Sequence, residues 1–277
     1  MRKQEKVTKK LVQIESLHLY HFWPGHRFIL VSQPCGFDCL DCWKSRKVFE
    51  GESISTKASL LDGAKATGVA TVAPGQPSIF LLDLFRKTRS EDRPTVLATL
   101  GLLTEKRLNG VLLLTDAVVL HVKGISKESY AKLTGIPNGL QLAFRCAKEA
   151  VHRDIHLEIA YTVVPGVNAS SHSINVLVNK INELDARIPL HLLRFLPSTY
   201  MKEKMPTRDR LMKNLWNTAS ETLPFVYRNN LYYGRAKNTY LPDGDLAIKR
   251  RGENIFPIEM EEKCKTLLNI TGKVRHF

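Results

Sequence analysis

Phe28-Ile29-Leu30-Val31-Ser32-Gln33-Pro34-Cys35-Gly36-Phe37-Asp38-Cys39-Leu40-Asp41-Cys42 joins a short apolar run to a tight group of cysteines. Phe28–Ser32 reads as a strand. Three of the five cysteines of the chain follow within eight residues, spaced CxxxCxxC. Thiolates are soft ligands that select iron–sulfur clusters, zinc or copper. Three of them on one loop can hold three corners of a [4Fe–4S] cube and leave the fourth iron open. Zinc is the strongest rival, but structural zinc sites pair two CxxC-like halves, and Cys146 and Cys264 stand alone. Three buried thiols that merely lie close together are a further alternative. A disulfide framework suits neither the odd count nor the clustering. Barrel and open α/β folds place their chemistry at the carboxyl ends of strands, where this loop falls.

Outward from the loop, strand-like and helix-like segments alternate. Residues 1–16 form a basic N-terminal arm, with 1–12 reading as frayed. Leu19–Gly25 is aromatic and turn-like. Ser55–Ala66 has helical spacing, Gly68–Ala73 reads as a short buried strand, and Pro74-Gly75-Gln76-Pro77 as a turn. Ser78 is placed to cap a helix over Ile79–Lys87. Strands are expected at Thr95–Thr99, Asp116–Val122, Ile155–Val164 and Pro189–Phe195, with a short last one at Phe225–Tyr227. Asp116–Val122 is nearly continuous in apolar residues, as a parallel strand covered on both faces is. Helical faces recur at Leu140, Ala143, Phe144, Ala147 and Val151, at Ile174, Leu177, Val178, Ile181 and Leu184, and at Met212, Leu215, Trp216 and Ala219. This alternation implies parallel strands with right-handed crossovers. About six βα units fit, too few for a closed eightfold barrel, so the expected fold is α/β, a partial (βα)6 barrel open on one side. Residues 17–230 make the core domain and 231–277 a tail. The chain has no GxGxxG and no GxxxxGK[ST] phosphate cradle.

The 277 residues, 43% of them hydrophobic, are enough for a substantial core. No stretch approaches the ~20 apolar residues that span a bilayer, and no apolar segment follows the basic start, so a cytoplasmic protein off the membrane is expected. The net charge of +14 suits a nucleic acid or an acidic protein as partner, or a solvated lysine-rich surface.

The cysteine spacing is that of the radical S-adenosylmethionine (SAM) enzymes, and further motifs extend the likeness. Leu19-Tyr20-His21-Phe22-Trp23-Pro24-Gly25, Asp116–Lys123 (DAVVLHVK), Glu158–Asn168 (EIAYTVVPGVN), Ile188–Pro197 (IPLHLLRFLP) and Pro224–Asn229 (PFVYRN) occur in one order. Together they resemble the radical SAM protein of the AmmeMemoRadiSam system. That family is similar in turn to the glycyl-radical-enzyme activases, such as pyruvate formate-lyase activating enzyme. The resemblance covers about residues 17 to 230. It implies a radical SAM fold, a cluster on Cys35, Cys39 and Cys42, and SAM bound at its open iron. It implies further that Gly75 and Gln76 lie in the turn that receives the SAM amino group, with Lys123 and His191 near SAM. Reductive cleavage would give a 5′-deoxyadenosyl radical, fed by an electron donor of flavodoxin or ferredoxin type and directed at a protein or RNA substrate.

The departures are local. Asp41 stands where the resemblance expects an aromatic residue, with Trp43 one place later. Gln76 replaces an acid, and His121 replaces the aspartate of a "DLK" strand. The tail keeps only Cys264 of a four-cysteine zinc module, so no second metal is expected. Three readings remain open: an active radical SAM enzyme of activase type, an RNA-modifying one, and a non-catalytic cluster-binding protein.

Overall fold

The computed structural model describes residues 11–15, 28–31, 37–42, 68–71, 77–198, 200–229, 239–240, 246–251 and 254–257. Its main element is an eight-stranded sheet in simple chain order. The strands are β1 (Leu11–Glu15), β2 (Phe28–Val31), β3 (Gly68–Thr71), β4 (Thr95–Thr99), β5 (Ala117–Val122), β6 (His156–Val163), β7 (Leu190–Arg194) and β8 (Val226–Asn229). All six pairings from β2 to β8 are parallel. No pairing closes β8 onto β1 among the described residues, so the barrel is partial and open, as expected.

β1 pairs antiparallel with β2. The stretch read as a basic arm therefore contains an edge strand at Leu11–Glu15. The charges of Lys9 and Lys10 mask a run too short to show alternation, while pairing to β2 supplies the backbone bonds that make it a strand. In the tail, β9 (Thr239–Tyr240), β10 (Leu246–Arg251) and β11 (Asn254–Pro257) form a separate three-stranded antiparallel sheet. Leu19–Gly25 and Ser55–Ala66 lie outside the described residues.

Helices cover the outer face of the sheet. They are α1 (Ile79–Ser90), α2 (Glu105–Leu112), α3 (Lys127–Thr134), α4 (Gly139–His152), α5 (Ser171–Asn182) and α6 (Asp209–Ser220). Ser78 caps α1 as its position suggests, accepting from the Leu81 N–H at 3.2 Å. The eight-residue helices α2 and α3 were not expected. Their stripes are too short for periodicity to stand out. α3 depends instead on a capping box between Ser126 and Ser129 and on left-handed Gly135 at its end.

The pleat sorts side chains by face. Val118, Leu120 and Val122 of β5, with Ile159, Tyr161 and Val163 of β6, point outward into the main core. There they meet Ala143, Cys146 and Ala147 of α4 and Ile174, Leu177 and Ile181 of α5, all buried. Each buried aliphatic side chain of this kind contributes about 1.5–3 kcal/mol. Just after β4, Gly101 has φ +69°, and a Cβ there would sit 2.9 Å from Cys146 Cβ, so only glycine lets α4 pack this closely.

The alternate residues of β5, β6 and β7 face inward, and one amide braces the upper ends of β5 and β6. Asn168, 1% exposed, donates from Nδ2 to the carbonyls of Lys123 and Thr162, both at 2.9 Å. Its Oδ1 accepts from the Val164 N–H at 2.7 Å. Asn168→Ala leaves three backbone groups without their partner. It should cost about 3 kcal/mol or more in urea unfolding. Asn168→Asp, which keeps the acceptor but not the donors, should be no milder.

Candidate functional site

Register places a polar row on the inner face. His121 pairs with Ala160, Ala160 with His191, and His191 with Tyr227. Paired residues share a face, so these four side chains line one level of the barrel. Small Ala160 leaves room between the two histidines. The His191 and Tyr227 rings stack with centroids 5.4 Å apart. One level lower, fully buried Glu158 binds two imidazoles, His191 Nε2 at 2.5 Å and His156 Nε2 at 3.0 Å. Burial works to raise the Glu158 pKa, but the hydrogen bonds and charges of the two histidines outweigh it and hold the carboxyl well below its usual range. Glu158 is thus a carboxylate that fixes the ring of His191.

Above the row, Lys123 follows β5 directly. Its ammonium donates to Asp41 Oδ2 at 2.7 Å, and both side chains are buried. Burial opposes the lysine charge; the Asp41 carboxylate and the sulfurs of Cys39 and Cys42 overcome it, leaving the pKa above the ordinary value. Lys123 therefore stays charged beside two cysteines. The loop is held by its backbone as well. The Leu40 N–H donates to the Leu133 carbonyl at 2.9 Å, the Leu40 carbonyl accepts from the Ser198 hydroxyl, and the Cys42 N–H closes a turn onto the Cys39 carbonyl at 3.1 Å. The Leu40 side chain packs on Leu133, Val164 and Phe195.

His121 is half-buried, and its ring stays neutral. Burial and the Lys123 ammonium, with a further push from His191, lower its pKa to about 3 against a partial lift from Asp41.

Of the residues expected from sequence to form a site, the structure brings Cys39, Cys42 and Lys123 together at the carboxyl end of β5. It sets His191 lower, as the second residue of β7. Cys35, Gly75, Gln76, Trp43 and Cys264 lie outside the described residues. Among the described residues no group of three metal-ligating side chains gathers, since Cys35 is not one of them. The residues present nonetheless fit an iron–sulfur cluster bound with a polar cofactor. Two thiols share one turn beside a cation, and Asp41 Oδ1 is buried with no hydrogen-bond partner among the described residues, a cost that a ligand or water donor would remove. Sequence reasoning missed Glu158, His156 and Asn168 as site-builders. The alternation of His156, Glu158 and Ala160 along one strand face was the available signal.

No family model matches the chain. It is 29% identical to the pyruvate formate-lyase-activating enzyme of Staphylococcus epidermidis over 181 residues, 58% of this chain and 71% of that protein. It is 29% identical to the pyruvate formate-lyase 1-activating enzyme of Escherichia coli K12 over 157 residues, 52% of this chain and 63% of that protein, under two thirds of its length. Among solved structures, Streptococcus suis SuiB bound to S-adenosylmethionine superposes with a TM-score of 0.55 at 16% identity, covering 73% of this chain and 50% of that one. A radical SAM methyltransferase from Sphaerobacter thermophilus gives a TM-score of 0.55 at 11% identity, covering 76% and 68%. These two likenesses concern the fold.

Two outcomes follow from the geometry. Removing one member of a buried ion pair strands the other charge at a cost of about 3–5 kcal/mol. Lys123→Met and Asp41→Leu should each destabilise on that scale in chemical unfolding, and the double variant should be less destabilised than their sum. The second concerns pH. The unfolded chain protonates His121 near 6.5, whereas the native ring resists protonation down to about 3. Glu158 likewise protonates at lower pH in the native state than in the unfolded chain. The unfolded state thus binds more protons across that interval, and stability should fall as pH drops below 6.5. His121→Gln should flatten the upper part of that fall, as read from melting temperatures at pH 7, 6 and 5.

Proposed function

We propose that this chain is a radical SAM enzyme that activates a protein substrate by radical chemistry at the carboxyl ends of its strands. A [4Fe–4S] cluster on Cys35, Cys39 and Cys42 would supply one electron for the reductive cleavage of S-adenosylmethionine. The observation that carries the reading is the buried Lys123–Asp41 pair, which ties the cysteine loop to the strand end where such folds place their chemistry. The other groups of the chain bind and orient. Lys123 keeps a positive charge beside the thiolates. Glu158 holds His191 in one orientation for contact with the bound nucleoside, and Gly75 and Gln76 are the residues that the resemblance assigns to the amino group. Gln76 would offer a neutral amide to it, and the buried Asp41 Oδ1 is a candidate carboxylate acceptor.

A protein substrate is favoured because the curated relatives are activating enzymes, named for the lyase they act on. An incomplete barrel also leaves a lateral opening that a partner's loop can enter. An electron donor of flavodoxin or ferredoxin type is the second partner that this reading requires. Among the described residues no helix is long and apolar enough to cross a membrane.

Anaerobic reconstitution with iron and sulfide, followed by EPR of the reduced protein with and without SAM, tests the proposal. The expected result is a [4Fe–4S]⁺ signal that changes on adding SAM, with 5′-deoxyadenosine formed. Cys39→Ala and Cys42→Ala should each abolish both. A cluster signal indifferent to SAM, or zinc bound in place of a cluster, would sink it.

A further inference from the structure

A cavity of about 620 Å³ opens on the outer helical layer, lined by Lys127, Pro137, Leu140, Gln141, Phe144, Arg145, Lys148 and Lys180. It shares no residue with the inner face described above. Four of its side chains are cationic, and neither Asp nor Glu lines it. None of the four forms an ion pair among the described residues. Arg145 gives one guanidinium N–H to the Leu103 carbonyl, and its Nε is buried with no acceptor among the described residues. The remaining donors of the guanidinium and the three ammonium groups suit the oxygens of a phosphate. The floor is different in kind. Leu140, Pro137 and the ring of Phe144 are apolar, and Lys180 stands 5.6 Å from the Phe144 centroid. A ring with a cation at its face offers stacking for a flat group and a partner for that group's charge. The volume lies in the range of small-ligand sites, roughly 300–1,000 Å³.

We propose that this cavity is a binding site for a nucleoside phosphate, with phosphate on Arg145, Lys148 and Lys180 and the base against Phe144. The ligand is either a free nucleotide or the phosphorylated terminal nucleotide of an RNA; the chemistry recognised is the same. The site is independent of the cluster and of SAM, so it stands or falls apart from the activity proposed above. Phosphate alone would satisfy the cations but leave the apolar floor empty, and adenosine alone would do the reverse.

Isothermal titration of the full chain with AMP, UMP, adenosine and inorganic phosphate is the test. AMP and UMP should bind at least about tenfold more tightly than adenosine or inorganic phosphate, a difference of about 1.4 kcal/mol. Lys148→Glu with Lys180→Glu should abolish nucleotide binding while the thermal melt remains cooperative. Phe144→Leu should weaken AMP several-fold and leave inorganic phosphate unchanged. A short 5′-phosphorylated RNA that competes with AMP identifies the polymer as the source, and one that fails to compete identifies the free nucleotide. The proposal is overturned if AMP does not bind, if the charge reversals leave its affinity intact, if inorganic phosphate binds as tightly as AMP, or if a poly-glutamate peptide displaces AMP as effectively as unlabelled AMP does.

Discussion

An ammonium buried beside a strand end needs a negative partner close by, and Lys123 finds it on a different segment of chain. Asp41 lies 82 residues away in sequence. Taking either charge out of water alone would cost several kcal/mol, so the loop and the strand are held to one mutual position. That position sets the cysteines as well, because Asp41 sits two residues after Cys39 and directly before Cys42. The backbone bonds of Leu40 to Leu133 and Ser198 act in the same sense, fixing the loop against α3 and the segment after β7. The cysteine loop is therefore bound at three places to the barrel that follows it in sequence.

The pleat supplies the second constraint. A slip of one residue in β6 would turn Glu158 out into the helical core and bring Ile159 inward. Register thus carries the chemistry of the inner face: small Ala160 separates His121 from His191, and Glu158 lies one level down, where both its oxygens reach imidazoles. The two sides of β6 obey opposite rules. Leu157, Ile159 and Tyr161 need only fit the packing of α4 and α5. Every inward residue must find a polar partner or remain neutral, and His121, pressed by Lys123, remains neutral.

The strands covered on both faces were legible in sequence for that same reason. Thr95–Thr99 and the run to Val122 are apolar in both registers, and no helical period competes with them. β1 was hidden by its lysines, and α2 and α3 by their length. The cysteine spacing could be read because soft-ligand chemistry demands proximity along the chain. Asp41 and His121 could be seen as departures from a family pattern, but their meaning could not. The salt bridge to Lys123 spans the barrel mouth, and no local pattern encodes it. Glu158 stood at the head of a recognised motif and was passed over as a strand residue, although alternation with His156 marked its face. Asn168 was likewise part of a motif whose purpose, bracing two strand ends, exists only once the strands are side by side.

Charge is distributed in a way that the net value of +14 conceals. Inside the barrel the cation Lys123 is matched by Asp41, and the carboxylate Glu158 by its histidines. On the outer helical layer, four cations among the described residues converge on one cavity. α3 touches both regions. Lys127 at its start lines the cavity, and the carbonyl of Leu133 near its end holds the cysteine loop. The helix spans about 12 Å and is capped at both ends, by the Ser126–Ser129 box and by Gly135. One short helix thus gives a side chain to the outer cavity and a backbone acceptor to the inner loop, although the two regions share no side chain.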